Sequence, residues 1–381
     1  MSKATRLFKE FFDSERSGGI ILILCTVFSL LLANSGISSA YIALWKTDLG
    51  GHSLTHWINE GLMTIFLLMI GLELERELYK GELSKFRDAM LPVFGALGGM
   101  LVPALIYLIL NAGGPYSSGA GIPMATDIAF ALGILSLLGK KVPVSLKIFL
   151  TSLAVIDDLG AIIIISLFYS KGISLLNLFL ALGLFGGLLI LNRLRVRNLI
   201  PYLIGGIGMW YFMLHSGVHA TIAGVLLAFA IPFGNGDERS TSYILQHALH
   251  KPVALLILPL FALANTAIPI HADIFALIRS PYSAGILLGL LIGKPVGIFI
   301  FSRMSVLLRL CKLPADLSWS SIAGAGVLGG IGFTMSIFIC LLAFGEDTII
   351  NNSKLTILTA STLAGICGYI WVKAGLRNNN E

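Results

Sequence analysis

The sequence predicts an all-α integral membrane protein of about twelve transmembrane helices, and three observations predict it. Of 381 residues, 56% are hydrophobic and 12% charged, against roughly 25% charged in an average soluble domain. The apolar residues form continuous runs near the roughly 20 residues that cross a bilayer, whereas a membrane barrel alternates and a disordered chain carries more charge. Twelve such spans use about 240 residues, which leaves short connections and a single polytopic domain over residues 1–381.

The runs lie near residues 18–36, 58–78, 89–111, 121–138, 146–169, 173–192, 199–215, 217–232, 252–270, 282–302, 318–345 and 354–374. Lys3, Arg6 and Lys9 before the first run suggest a signal peptide, but Glu10, Asp13 and Glu15 accompany them and the run is long for a cleaved core, so it reads as a retained span. With Phe8, Phe11 and Phe12, the leader suits the membrane surface.

Lys and Arg collect on cytoplasmic loops. With the N-terminus inside, 21 of them fall in inner segments, and the outer loops hold only Lys46, Lys171, Arg279 and Lys354. Both termini are therefore expected in the cytoplasm. The same bias accounts for the net charge of +6 without nucleic acid as a partner. Cys25, Cys311, Cys340 and Cys367 are scattered, with no spacing of a disulfide framework or zinc ribbon.

With that orientation, spans III–V and X–XII run in opposite directions, as an inverted repeat requires. Each has a middle span interrupted by small or breaking residues: Pro123, Thr126 and Asp127 in span IV, and Gly324, Gly326, Gly329, Gly330 and Gly332 in span XI. Paired interrupted spans point to the substrate site of a secondary transporter.

Four charges sit where the bilayer penalises them: Asp127, Asp157, Asp158 and Lys294. Were Asp157 and Asp158 helix caps in a loop, run 146–169 would split into halves too short to span about 30 Å. Neighbours on a helix point about 100° apart, so the two aspartates face different partners. Lys294 lies at a similar depth, and one aspartate is expected to pair with it while the other is left for an ion. Asp127 is placed to offset the positive ends of half-helices, and Lys294 the negative ends. Carboxylates with hydroxyls and carbonyls suit hard cations: sodium, lithium and protons. A carboxylate that holds either a proton or a cation makes the two compete, which is itself an exchange mechanism.

Other signals are weaker. Gly324, Gly326 and Gly329 match G-x-G-x-x-G without a preceding strand, so they read as close helix packing. His52 with His56, and His215 with His219, lack an acidic third ligand for zinc. Glu73, Glu75 and Glu77 crowd Arg76 at the inner end of span II, and His247 and His250 precede span IX. These form either a solvated helix end or a proton sensor.

Several long stretches then resemble one known family across nearly the whole chain: GLELEREL around Glu73, ATDIAFALG around Asp127, IDDLGAIIII around Asp157 and Asp158, SGVHATIAGV around His219, ILPLFALAN at 257–265, GKPVGI around Lys294 and GGIGFTMSIFI at 329–339. The chain resembles the NhaA type of bacterial sodium/proton antiporter, itself a standard example of inverted repeats. The resemblance implies a twelve-helix inner-membrane protein with crossed, interrupted spans IV and XI, electrogenic exchange and a homodimer. By position it implies that Asp158 and Asp157 bind the ion and exchange protons, with Lys294 as partner and Asp127 and Thr126 in the unwound span. It links Glu73, Arg76, Glu77, His219, His247 and His250 to conformation or pH response. Gln246 stands where the family can carry a glutamate, which leaves the pH set point open.

The reading is a Na+ or Li+ for H+ antiporter serving sodium and pH homeostasis, with no cofactor and no catalytic residue. The alternatives are a sodium-coupled organic solute carrier of similar architecture, an ion channel, or an intramembrane aspartyl protease, which would leave Lys294 idle and lacks a G-x-G-D pattern.

Overall fold

The computed structural model describes residues 3–169, 172–270 and 280–378. Lys171 and Arg279 lie outside the described residues, as do the side chains of residues 3–16, Lys140 and Arg377. The helices are α1 Lys3–Ala33, α2 Ser38–Lys46, α3 Leu54–Tyr79, α4 Phe86–Asn111, α5 Ile128–Leu137, α6 Val144–Phe168, α7 Leu175–Arg193, α8 Leu199–Leu214, α9 Ile222–Ala230, α10 Thr241–Asn265, α11 Pro281–Leu307, α12 Trp319–Gly329, α13 Phe333–Ala343 and α14 Asp347–Asn378.

Among the described residues, eight helices are long and apolar enough to cross a membrane, and up to ten if each of two bent pairs is one span. The pairs are Ser17–Ala33 with α2, bent by 116°, and α12 with α13, bent by 45°. Two expected spans fall short. The run 199–215 forms the 16-residue α8, and the run 217–232 forms only the nine-residue α9. At 1.5 Å per residue, a helix as short as α9 covers about 14 Å. The shortening has a local cause: Gly217, at φ +80°, turns the chain after α8, a conformation that costs glycine little.

Three further details depart from the sequence reading. Asp48–Leu49 pairs antiparallel with His52–Ser53 in a small hairpin, whose turn Gly50 and Gly51 close at φ +69° and +92°; four strand residues are too few to show a period. His247 and His250 do not precede a span but lie inside α10, which starts eleven residues before the apolar run because its first turns are amphipathic. Lys354 is not an outer-loop residue: it lies within α14 and is buried.

Proline shapes two of the long helices. Both α10 and α11 contain a widened π-turn, Val253–Ile257 and Gly289–Gly293, and each turn is followed two residues on by a proline, Pro259 and Pro295. A proline lacks the N–H that would bond back and its ring crowds the carbonyl one turn earlier, and the extra residue in the π-turn relieves both.

Small residues set the packing that positions the centre. Gly98 of α4 and Gly297 of α11 meet backbone to backbone, and a Cβ on either would lie 2.1 Å from the other's carbonyl oxygen. Close backbone approach through small residues is how membrane helices gain contact without a hydrophobic driving force. On the side of α4 toward α6, a Cβ on Gly160 would lie 2.1 Å from Met100 Sδ. With α4 so closely placed against both, Asp157 and Lys294 lie one turn or less from these contacts and reach one another.

Candidate functional site

Two interrupted segments meet at their breaks. A 3-10 helix, Ser117–Met124, contains Pro123 and gives way to extended backbone at Ala125 (φ −79°, ψ 151°) and Asp127 (φ −87°, ψ 100°) before α5 begins. Opposite it, Gly330 to Gly332 separate α12 from α13. A side chain at Gly330 would meet the Leu290 carbonyl at 2.5 Å, so the break can sit against α11 only as glycine.

Broken helices leave backbone groups unpaired, and here each break supplies the other. The Asp127 N–H donates to the Ile331 carbonyl at 2.7 Å. Asp127 Oδ1 accepts the Phe130 N–H at 3.0 Å, and Oδ2 accepts both the N–H of Thr334, at 3.0 Å, and its hydroxyl, at 2.5 Å. One carboxylate therefore caps the N-termini of α5 and α13, where negative charge also faces the positive ends of the helix dipoles. The negative ends are met by donors: Lys294 Nζ donates to the Met124 carbonyl, and the Thr126 hydroxyl lies 3.1 Å from the Gly329 carbonyl.

Asp157 and Asp158 lie inside the continuous α6, not in a loop, and both are buried. Lys294 Nζ is 2.9 Å from Asp157 Oδ2, with both side chains fully enclosed. The Thr126 hydroxyl lies 2.7 Å from the same oxygen and, having one proton, donates either to it or to Gly329. Asp158, turned away along the helix, has no hydrogen-bond partner among the described residues on either oxygen. It lies within electrostatic reach of Asp157, Asp127, Lys294 and Glu73. A buried carboxylate with both oxygens unbonded can take a proton or coordinate a hard cation, and it cannot remain charged and alone cheaply.

The residues that the resemblance links to conformation or pH divide between two ends of the molecule. Arg76 lies 3.7 Å from Glu73 and 3.5 Å from Glu77. His250 of α10 is within electrostatic reach of Arg76 and His247, and His247 stacks on Tyr243. Glu73 and Glu75 are buried, Arg76, Glu77 and His250 are half-buried and His247 is exposed, so the cluster runs from the interior out to the end of the helix. Gln246 is buried beside the same histidines. His219 is apart, at the opposite end of α3, where Nδ1 lies 4.0 Å from Glu60 Oε1 and Nε2 lies 3.2 Å from the Tyr169 carbonyl.

Sequence reasoning missed two members of this network. Thr334 gives Asp127 two bonds; its signal was its place in the first turn after a glycine break, where hydroxyl residues bond to caps. Lys354 donates to Asn265 Oδ1 at 3.3 Å, and Asn265 donates to Asn59 Oδ1 at 2.8 Å, tying α14, α10 and α3 together. Its neighbours Asn351, Asn352 and Ser353 made it look like loop.

The sequence matches the profile of the Na+/H+ antiporter 1 family over residues 9–372. The chain belongs to that family. It is 68% identical over 376 residues to the Na(+)/H(+) antiporter NhaA of Flavobacterium psychrophilum, covering 99% of this chain and 98% of that protein. Identity is 61% to Na(+)/H(+) antiporter NhaA 1 of Flavobacterium johnsoniae, with both chains covered completely, and 58% to the Cytophaga hutchinsonii NhaA, covering 98% of this chain and 97% of that one. The fold is similar to that of the sodium proton antiporter MjNhaP1 from Methanocaldococcus jannaschii, with a TM-score of 0.55 at 14% identity over 98% of this chain and 99% of that one. For a member of this family, the crossing and the enclosed Asp157–Lys294 pair are where transport chemistry can be sought.

Proposed function

We propose that this protein exchanges Na+, or Li+, for H+ across the bacterial inner membrane by alternating access, as an electrogenic, pH-regulated secondary transporter and not an enzyme. The observation that carries the reading is the contrast within one dipeptide. Asp157 is held by Lys294 and Thr126, whereas Asp158 beside it offers two buried oxygens with no partner among the described residues. Asp158 is the group at which sodium and proton compete, and Asp157 with Lys294 provides the second proton-exchanging group. Asp127 and Thr126 hold the unwound crossing. The family membership and the relatives' names support the choice of Na+ and H+ as cargo. No cofactor is required.

The architecture we propose is twelve spans, with III–V and X–XII as an inverted repeat, a single domain, and both termini in the cytoplasm. It is supported by two interrupted segments meeting at their breaks, an arrangement for which antiporters of this type are a standard example. It is also supported by the basic residues, which put the Arg76 end of α3 inside and the Glu60 end outside. Glu73, Arg76, Glu77, His247 and His250 form the inner regulatory cluster, linked to the site through the reach of Glu73 to Asp158. His219 acts at the outer end, and the protein works as a homodimer.

The test is dissipation of a respiration-driven proton gradient in everted vesicles on adding sodium, lithium or potassium, scanned over pH. Sodium and lithium should dissipate it without any organic solute, and potassium should not. A requirement for an organic solute would replace exchange by solute symport.

A further inference from the structure

The two interrupted segments are joined at one end of the crossing. Toward the outer end, Ser118 Oγ donates to the Ala343 carbonyl at 3.0 Å and Ser336 Oγ to the Ile122 carbonyl at 2.7 Å, which ties Ser117–Met124 to α13. Toward the inner end, among the described residues, no hydrogen bond joins α5 to α12. Away from the crossing itself, side-chain hydrogen bonds between the two interrupted segments thus lie, among the described residues, at the outer end only.

Tyr169 holds that seal from α6, the helix that carries both aspartates. It caps the C-terminus of α6 and is 5% exposed. Its hydroxyl donates to the Ser118 carbonyl at 2.6 Å. Gly121 beside it leaves room for the ring, since a Cβ there would lie 2.8 Å from the hydroxyl. The Tyr169 carbonyl in turn meets His219 Nε2, which must carry the proton because a carbonyl only accepts. Tyr107 makes a second contact of this kind, from its hydroxyl to the Tyr116 carbonyl at 2.8 Å.

These contacts differ from ordinary helix packing. The 3-10 segment is irregular, and its Ser118 carbonyl can exchange a tyrosine hydroxyl for water when the segment moves outward. A neutral hydrogen bond is strong enough to bias such an equilibrium and weak enough to break in each cycle.

We propose that Tyr169 is a positioning residue for transport, a latch whose hydroxyl keeps the outer halves of both interrupted spans closed over Asp157 and Asp158, and that passage of the cation to the outer face requires the Tyr169–Ser118 bond to open. The inference rests on the alternating-access reading above. Removal of the hydroxyl shifts the population toward the outward-open form by roughly two- to tenfold, the worth of one net hydrogen bond. Because the inward-open form is then rarer, the apparent KM for sodium from the inner face rises, by less than that shift as long as the inward-open form predominates.

Cys340 is the natural reporter. It is buried in α13 and within electrostatic reach of both Tyr107 and Tyr169. In a variant with Cys25, Cys311 and Cys367 replaced by serine, a membrane-impermeant maleimide is added to right-side-out vesicles and the labelling rate of Cys340 is followed. Tyr169→Phe should raise the rate roughly two- to tenfold, and Gly121→Ala, whose methyl group would lie 2.8 Å from the Tyr169 hydroxyl and displace it, should raise it as well, which keeps the test alive if the first variant fails to insert. Tyr41→Phe, which loses an outer-end hydroxyl bonded to Ser29 and Leu263, should leave it unchanged. An unchanged rate in Tyr169→Phe, or in Gly121→Ala where that variant alone inserts, overturns the latch, as does an equal rise in Tyr41→Phe. Sodium-driven proton movement is measured on the parent protein in parallel: its absence there refutes the antiport reading, while the labelling comparison still decides whether Tyr169 holds the outer end shut.

Discussion

Lys294 and Asp157 are a fully enclosed ion pair, 2.9 Å apart, at the point where two interrupted segments cross. The pair is not a simple two-body contact. Lys294 also donates to the Met124 carbonyl and Asp157 also receives Thr126, so the same two side chains join α11, α6 and the unwound segment. Removing either partner therefore affects both charge balance and the crossing itself.

For Lys294→Gln, the loss leaves Asp157 buried without its counter-charge, a change that costs about 3–5 kcal/mol when one partner of a buried pair is removed. Thermal unfolding in detergent should shift down accordingly, and any surviving exchange should respond less to membrane potential. A variant as stable as the parent, with unchanged potential dependence, would contradict both roles of the lysine.

Asp158→Asn should insert and unfold like the parent yet lose sodium-driven proton movement. The amide keeps the shape of the side chain but can neither release a proton nor give a cation a full negative charge. Since neither Asp158 oxygen bonds to any of the described residues, little structure depends on it. Near-normal exchange by this variant would reject its assignment as the ion-binding group.

Charge counting predicts electrogenic exchange. If one sodium displaces a proton from each aspartate, or from Asp158 and Lys294, more than one proton moves per cation. Turnover in proteoliposomes should then change when a potassium diffusion potential is imposed. Indifference to that potential would contradict the count.

Asp127→Ala removes caps from two helices at once. A lost cap costs about 0.5–2 kcal/mol, so the variant should lose up to about twice that, and Thr334→Val, which loses only the hydroxyl contact, should lose less. The ordering of the two unfolding temperatures is the check; the reverse order would mean that Thr334 and not Asp127 organises the crossing.

At the α4–α11 contact, Gly297→Ala places a methyl group where 2.1 Å separates it from the Gly98 carbonyl. Overpacking of this kind costs about 1–3 kcal/mol. Gly183→Ala, on the open face of α7 where nothing lies within 4 Å, should instead be neutral or stabilising by up to about 1 kcal/mol. Equal effects from the two substitutions would show that the close approach has no energetic weight.

The sequence by itself determined the class of the protein and its chemistry. Continuous apolar runs can be satisfied only by helices in a membrane, and charges inside such runs are conspicuous because the bilayer penalises each one individually. Asp127, Asp157, Asp158 and Lys294 were legible for that reason, as were the two segments interrupted by Pro123 and by Gly330–Gly332. Span counting was legible only in part, because Gly217 and the bend after α1 shorten elements whose composition still looks apolar.

What the tertiary structure decided is pairing. Neighbouring aspartates carry the same composition and nearly the same depth, so only the rotations of α6 and α11 against α4, fixed by contacts such as Gly160 with Met100 and Gly98 with Gly297, assign Lys294 to Asp157 and leave Asp158 without a partner among the described residues. The burial of Lys354 among Asn265 and Asn59, and the separation of His219 from His247 and His250, were hidden for the same reason. Hydropathy reports how far a residue lies along a helix, whereas its partner depends on which face the neighbouring helices leave for it.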